Sequence, residues 1–237
     1  MKKNTIKPKV KGITQKKIDK HCNTYYIDGF SISNNPNLLL DNPFKKDKIV
    51  YYIIENANFI NGLYLHTDIN THVIFRNCCF HKIVCINSND SVEFSGNLYC
   101  ADADFPTFPK YFFNCRCKSL RFTNEVVANA SYQKTAENNV VGLNIQAQFL
   151  TIDESLIKFR EEHEKIKINV QEITMFDSTI SAPTIKINSD DIYNLESKII
   201  SQNLTITNKN NSELDGIEAD NFTYNGEIVE KAKVLSI

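Results

Sequence analysis

The sequence predicts an all-β chain folded as a right-handed parallel β-helix (a solenoid) of about nine short coils, and three observations carry that expectation. From about residue 50 the chain breaks into short apolar alternations separated by Asn, Ser, Thr and Gly, and few segments keep helical spacing. One pattern then recurs: an apolar residue, a small residue two positions on, and an apolar doublet five and seven positions on. It reads Ile145, Ala147, Leu150, Ile152, then Ile180, Ala182, Ile185, Ile187, then Ile199, Ser201, Leu204, Ile206, and then Ile217, Ala219, Phe222, Tyr224. Cys115, Cys117, Leu120 and Phe122 form an earlier copy. Finally, the doublets begin at 52, 73, 92, 120, 150, 166, 185, 204 and 222, at intervals of 21, 19, 28, 30, 16, 19, 19 and 18 residues. Recurrence near nineteen residues marks stacked repeats.

Alternate side chains of a strand share a face, so both residues of a doublet point inward and the one between points out. The outward residues are mostly polar: Glu93, Arg121, Thr151, Lys167, Lys186 and Thr205. Asn, Ser and Gly follow the doublets, as in Arg76-Asn77, Ser95-Gly96 and Asn188-Ser189, and these residues tolerate the backbone of a sharp corner. A small inward residue suits the place where two walls meet. Stacked at ~4.8 Å, nine coils make a rod of roughly 40 Å in which no coil is stable alone.

Residues 1–21 read as a lysine-rich flexible tail, since positions 1–20 hold eight lysines and one acid. Residues 22–49 are irregular, with turn signals at Asn35-Pro36 and Asn42-Pro43, and are expected to form an N-terminal cap over the first strand edge. Residues 50–237 form the β-helix, with insertions near 101–112 and 129–140. Its last ten residues, which include Val229, Val234 and Leu235, can cover the other end or pair with a second copy. A left-handed hexapeptide helix would need an aliphatic residue every sixth position and more than the seven glycines present. Over about 50–225 the chain resembles, in fold pattern, the right-handed β-helix proteins: pectate lyase-like enzymes, phage tailspikes and surface adhesins. The resemblance implies a fold and no particular function.

The net charge of −1 argues against general nucleic-acid binding. No stretch of about 18 apolar residues offers a membrane span. The basic start lacks a following apolar stretch, so the chain reads as cytoplasmic, or exported without a Sec signal peptide. Seven cysteines without a scaffold spacing fit a reducing compartment. Abundant Lys, Asn and Ile with scarce Arg are the bias of an AT-rich genome, bacterial or viral.

Cys78, Cys79, Cys85, Cys115 and Cys117, with His72 and His81 nearby, do not follow a zinc spacing. Cys115 falls in the slot of Ile145, Ile180 and Ile199, Cys117 in that of Ala147 and Ala182, and Cys78 above Ala57, so these thiols read as core and no metal or cofactor is expected. His66, Asp68, His72 and His81 read as corner residues rather than acid–base groups, and the charged segment 153–165 as a short helix capped by Asp153 or as a loop. The insertions carry the candidate site. Phe105, Phe108, Lys110, Tyr111 and Tyr132 are the expected contacts, because exposed aromatics are costly unless they pack or bind, and the two loops should leave the rod on the same side. Asp102 and Asp104 are the acid pair a glycosidase would need. The expected function is that of a non-catalytic binding or structural protein contacting a protein or glycan through these loops. A polysaccharide lyase or glycoside hydrolase, and a delivered bacterial effector or phage or viral factor, are the alternatives.

Overall fold

Inward alternation produces three strand-bearing faces, through which the chain passes in turn. The computed structural model describes residues 10–11, 17–21, 23–28, 37–44, 48–80, 84–99, 111–128, 141–160, 165–210 and 214–230. Among them every regular element is a strand and most pairings are parallel, an all-β arrangement consistent with a β-solenoid. The first face is a nine-stranded sheet: β2 (Lys17–His21), β3 (Thr24–Asp28), β5 (Val50–Glu55), β8 (Thr71–Arg76), β11 (Ser91–Ser95), β14 (Ser119–Thr123), β17 (Phe149–Asp153), β20 (Glu172–Phe176) and β22 (Asp191–Leu195). The second face holds short strands: β6 (Asn58–Phe59), β9 (Cys79–Phe80), β12 (Leu98–Tyr99), β15 (Val126–Ala128) and β18 (Leu156–Lys158). The third holds β4 (Asn37–Leu40), β7 (Leu63–Thr67), β10 (Val84–Asn87), β13 (Tyr111–Arg116), β16 (Val141–Gln146) and β19 (Lys165–Asn169). Three longer strands, β21 (Thr179–Ser189), β23 (Lys198–Asn208) and β24 (Ile217–Tyr224), run from the second face into the third and join them in one sheet of sixteen strands.

Among the described residues three pairings are antiparallel: β1 (Val10–Lys11) with β4, β2 with β3, and β25 (Glu227–Val229) with β24. Residues 24–28 and 37–40, inside the segment expected to cap the stack, pair in parallel with β5 and β7 and so lie on it as a further layer. In the segment 153–165 the described residues form β18 in place of a helix. Ile157 points inward between Val127 and Ile180, and that buried column outweighs the local helix signal of the charged residues around it.

Leu204 sits over Ile185, as a nineteen-residue repeat requires, and Cys78 stacks with the residue-57 corner, where Cys79 N–H donates to Ala57 C=O. One step of the apparent period is different in kind. The doublets at 52, 73, 92, 120 and 150 lie on the first face, whereas those at 166, 185, 204 and 222 lie on the third. Leu150 is followed on its own face by Ile173, so the interval of 16 is a change of face and not a turn of the stack. Glu93, Arg121 and Thr151 therefore form one outward row, and Lys167, Lys186 and Thr205 another. Cys115 pairs with Ile145, as expected, but both belong to the third face, while Ile180 and Ile199 belong to the second.

The interior is one continuous apolar cluster. Its N-terminal part is aromatic: Phe75, Phe94 and Phe122 stack through successive layers at 5.1 and 5.7 Å between centroids. Isoleucines take over towards the C-terminus, as in the column Ile145, Ile168, Ile187 and Ile206. Cys78, Cys115 and Cys117 are buried in this core, and burial pushes the Cys78 thiol up to about 12.

The first corner, between the first and second faces, has a fixed length and a hydrogen-bonded spine. Its leading residue has positive φ in seven layers: Asn56, Asn77, Gly96, Asn124, Glu154, Asp177 and Glu196. The next residue is buried, and from Cys78 to Ser178 its backbone N–H is met by a side chain of the following layer. Cys78 N–H donates to Asn97 Oδ1 and Asn97 N–H to Glu125 Oε1. Glu125, Ser155 and Ser178 N–H donate to the Oγ atoms of Ser155, Ser178 and Ser197, each at 3.0 Å. Each serine hydroxyl donates in turn to the carbonyl two residues back. Glu125 is the one carboxylate in this column. It is 1% exposed, its Oε1 accepts both Asn97 N–H and Nδ2–H, and its Oε2 has no hydrogen-bond partner among the described residues. Burial pushes its carboxyl up to about 8, against the pull of the Asn97 hydrogen bonds.

Candidate functional site

The second corner, between the second and third faces, is built differently. In β21, β23 and β24 the chain rounds it without leaving the sheet, and the inward residue at the bend is small: Ala182, Ser201 and Ala219, which lie one above another. After each come two residues before the next inward one, Pro183-Thr184, Gln202-Asn203 and Asp220-Asn221, so the backbone swings outward there. Pro183 supplies no backbone donor, and its carbonyl lies 3.3 Å from Ser201 Oγ, whose hydroxyl also lies 3.0 Å from Asn203 C=O. The small floor and the outward swing leave a groove of about 620 Å³ running across four layers.

Phe159, Ala182, Ser201 and Ala219 form the floor of this groove. One wall carries Lys158, Ser181, Ile200 and Glu218, which follow one another by strand pairing. The other carries Arg160, Pro183, Gln202 and Asp220. Two cations therefore mark one end and two carboxylates the other, with an uncharged middle about three strand spacings long, or ~14 Å. Glu218 Oε1 lies 3.2 Å from Lys198 Nζ in an exposed ion pair. Phe159 can occupy the floor because Gly142 lies beside it, where a Cβ would come within 2.6 Å of the ring. Outward-facing side chains on rigid strands can bind an extended chain by shape, hydrogen bonding and charge at the two ends.

The sequence placed its candidate site in the insertions. Asp102, Asp104, Phe105, Phe108, Lys110 and Tyr132 lie outside the described residues. Tyr111 is the first residue of β13, its backbone paired with Val141. The anchor points of both insertions are described. One joins β12 to β13 and the other joins β15 to β16, with Leu98 over Val126 and Tyr111 over Val141. The anchor points of both segments thus lie at the second corner, upstream of the groove on the same edge.

The remaining candidates separate. His72 Nε2 lies 3.1 Å from Asp90 Oδ1, and Asp68 accepts the Asn42 N–H at 3.2 Å. His66 is exposed on the third face and His81 is outside the described residues. Sequence reasoning missed the groove residues Lys158, Arg160, Gln202, Glu218 and Asp220. Their signal was present in the two-residue gap between the small residue and the doublet, which is one residue too long for a straight alternating strand. Compared with protein-family models, curated proteins and solved structures, the chain matches none.

Proposed function

We propose that the chain is a right-handed parallel β-helix of about nine coils, closed at its N-terminal end by a cap, that binds a protein or glycan without catalysis along its second corner. The observation that carries the reading is the coincidence on one edge of the groove and of the anchor points of both insertions. In this reading Phe105, Phe108, Lys110, Tyr111 and Tyr132 extend the edge upstream, and an extended segment of the ligand lies in the groove. Its anionic end meets Lys158 and Arg160, and its cationic or hydroxyl-rich end meets Glu218 and Asp220.

The test is an array of glycans and peptides probed with the wild-type chain, Gln202→Trp and Phe108→Ala. Gln202 is exposed on the groove wall, so a tryptophan there fills the groove while the thermal transition stays in place. Loss of array binding in both variants supports the reading, and wild-type binding in both ends it. A second reading has one specific observation in its favour: Glu218 and Asp220 are two residues apart on one strand face, a carboxylate pair facing the groove. Release of new reducing ends from a bound glycan, abolished by Asp220→Asn, would replace binding by cleavage.

A further inference from the structure

The third face differs from the rest of the surface in its charge. From Asn114 to Thr223 none of its outward positions is an acid, although the whole chain carries net charge −1. Four exposed cations elsewhere have an acidic partner: Arg76 with Glu55, Arg121 with Asp153, Lys198 with Glu218 and Lys209 with Asp190. Arg116, Lys118, Lys165, Lys167 and Lys186 enter no ion pair among the described residues. Lys167 and Lys186 are direct neighbours on adjacent parallel strands, an arrangement that repels unless an anion sits between or beside them.

Between the cations the face is covered by amides and hydroxyls, and the amides are held in place. Asn144 donates to Asn114 at 2.7 Å, Asn188 to Asn169 at 2.9 Å and Asn221 to Asn203 at 3.0 Å. Along one margin Arg116 and Lys118, with Asn89, Gln146, Gln148 and Asn169, line a shallow depression of about 430 Å³ that contains no carboxylate. Six donor side chains around one bowl suit an oxyanion with several free oxygens, and the neighbouring amides can both donate to and accept from hydroxyl groups.

We propose that the third face, from the Arg116–Lys118 depression to Lys186, is a docking surface for a linear sulfated polysaccharide lying along the stack. The chain direction follows from the array: a pyranose advances by close to one inter-strand spacing per sugar, so successive sugars meet successive layers of identical pitch. Nucleic acid fits less well, because no outward position from Asn114 to Thr223 offers an aromatic ring on which a base could stack. A lipid surface fits less well too, because the same positions offer no large apolar side chain to insert. This surface is separate from the groove and does not depend on the reading of it.

The experiment titrates the full chain with dextran sulfate, uncharged dextran, polyglutamate, a single-stranded DNA oligonucleotide and anionic lipid vesicles. The proposal expects dextran sulfate to be preferred. It also expects Arg116→Gln/Lys167→Gln/Lys186→Gln to weaken that binding by at least about tenfold and Arg76→Gln/Arg121→Gln by less than about twofold. Gln202→Trp in the groove should leave it unchanged, so failure here and failure of the groove reading are separable. The lysines of residues 1–20 are the obvious competitor. If replacing Lys2, Lys3, Lys7 and Lys9 by glutamine removes the binding while the third-face variant keeps it, the proposal is wrong. Equal affinity for polyglutamate, DNA or vesicles also overturns it, since charge alone would then be the determinant. Should the triple variant lose its thermal transition, Lys186→Gln alone, on an exposed side chain, carries the same comparison.

Discussion

The first and second corners turn the same chain around the same core, yet one is uniform and the other variable. At the first corner seven layers each spend one residue in a left-handed conformation and one buried residue whose N–H, from Cys78 to Ser178, is capped by the layer above. An extra residue there would break two layers at once, because each side chain is both a cap for its neighbour and capped itself. Among the described residues of the second corner no such spine is formed. The chain bends there through a small residue, as at Ala182, turns tightly through Gly62 between β6 and β7, or carries one of the two insertions, after Tyr99 and after Ala128. Both insertions begin and end there, and the groove lies there too. The variable corner is free to acquire a ligand because the other one holds the register.

The sharpest way to break this contrast is to insert one glycine at each corner. After Asp177 the insertion removes the Ser178 and Ser155 hydrogen bonds and throws β21 out of register with β18. The expected loss is at least about 5 kcal/mol, enough to abolish a cooperative urea transition. Between Asn138 and Asn139 the same residue lengthens an existing insertion and should cost a few tenths of a kcal/mol. Equal effects in urea unfolding would mean that the spine does not set the length.

Glu125 tests whether the spine tolerates a charge. Its carboxyl lies at about 8 in the folded chain, against 4.5 for an ordinary one. The folded state thus holds a proton that the unfolded state has released. The resulting stabilisation is complete below about pH 4.5 and is lost as pH rises through 8, by an amount of the order of 3–5 kcal/mol. Glu125→Gln should therefore unfold at higher urea than the wild type at pH 9 and flatten the dependence between pH 5 and 9. An unaltered pH dependence would show that the carboxylate finds solvent or a counter-ion when it ionises.

What the sequence revealed and concealed divides along the same lines. Inward alternation is a strong periodic signal, so Leu204 over Ile185 and the burial of Cys78 and Cys115 could be read directly. The faces were harder to separate, because the first and the third both present an apolar doublet, as at Leu150–Ile152 and Ile166–Ile168. The second face was invisible to a search for doublets. Upstream of the bent strands it contributes one inward residue per layer, Phe80, Val127 and Ile157 among them. The spine escaped notice because Asn97, Glu125 and Ser155 do the same work with different side chains, and sequence similarity does not register a shared acceptor. Charges at 158, 160, 218 and 220 follow no period, since exposed positions are not bound by the core.

A milder perturbation measures one rung of the spine. Ser178→Ala leaves Ser155 N–H buried without an acceptor and deletes the bond to Phe176 C=O. A loss of about 1–3 kcal/mol is expected in urea unfolding. Ser181→Ala, three residues on at the groove wall, should stay within about 0.5 kcal/mol. A Ser178→Ala variant as stable as Ser181→Ala would mean that water replaces the hydroxyl.

The smallest effect concerns the residue that opens the first corner. Asn56, Asn77 and Asn124 take positive φ with a side chain suited to it, whereas Glu196 does so at φ 52° with one that is not. Its side chain is exposed, so Glu196→Asn alters little beyond the backbone preference and should raise stability by about 0.5–1 kcal/mol. The converse change, Asn124→Glu, should lower it by a similar amount. Opposite signs in these two variants, read from the urea midpoint, tie the effect to the left-handed backbone, because the positions lie in different layers and share only that conformation. Two changes of the same sign would assign it instead to local charge, with Asp153 and Glu154 crowding an added carboxylate near position 124 and Lys198 losing one near position 196.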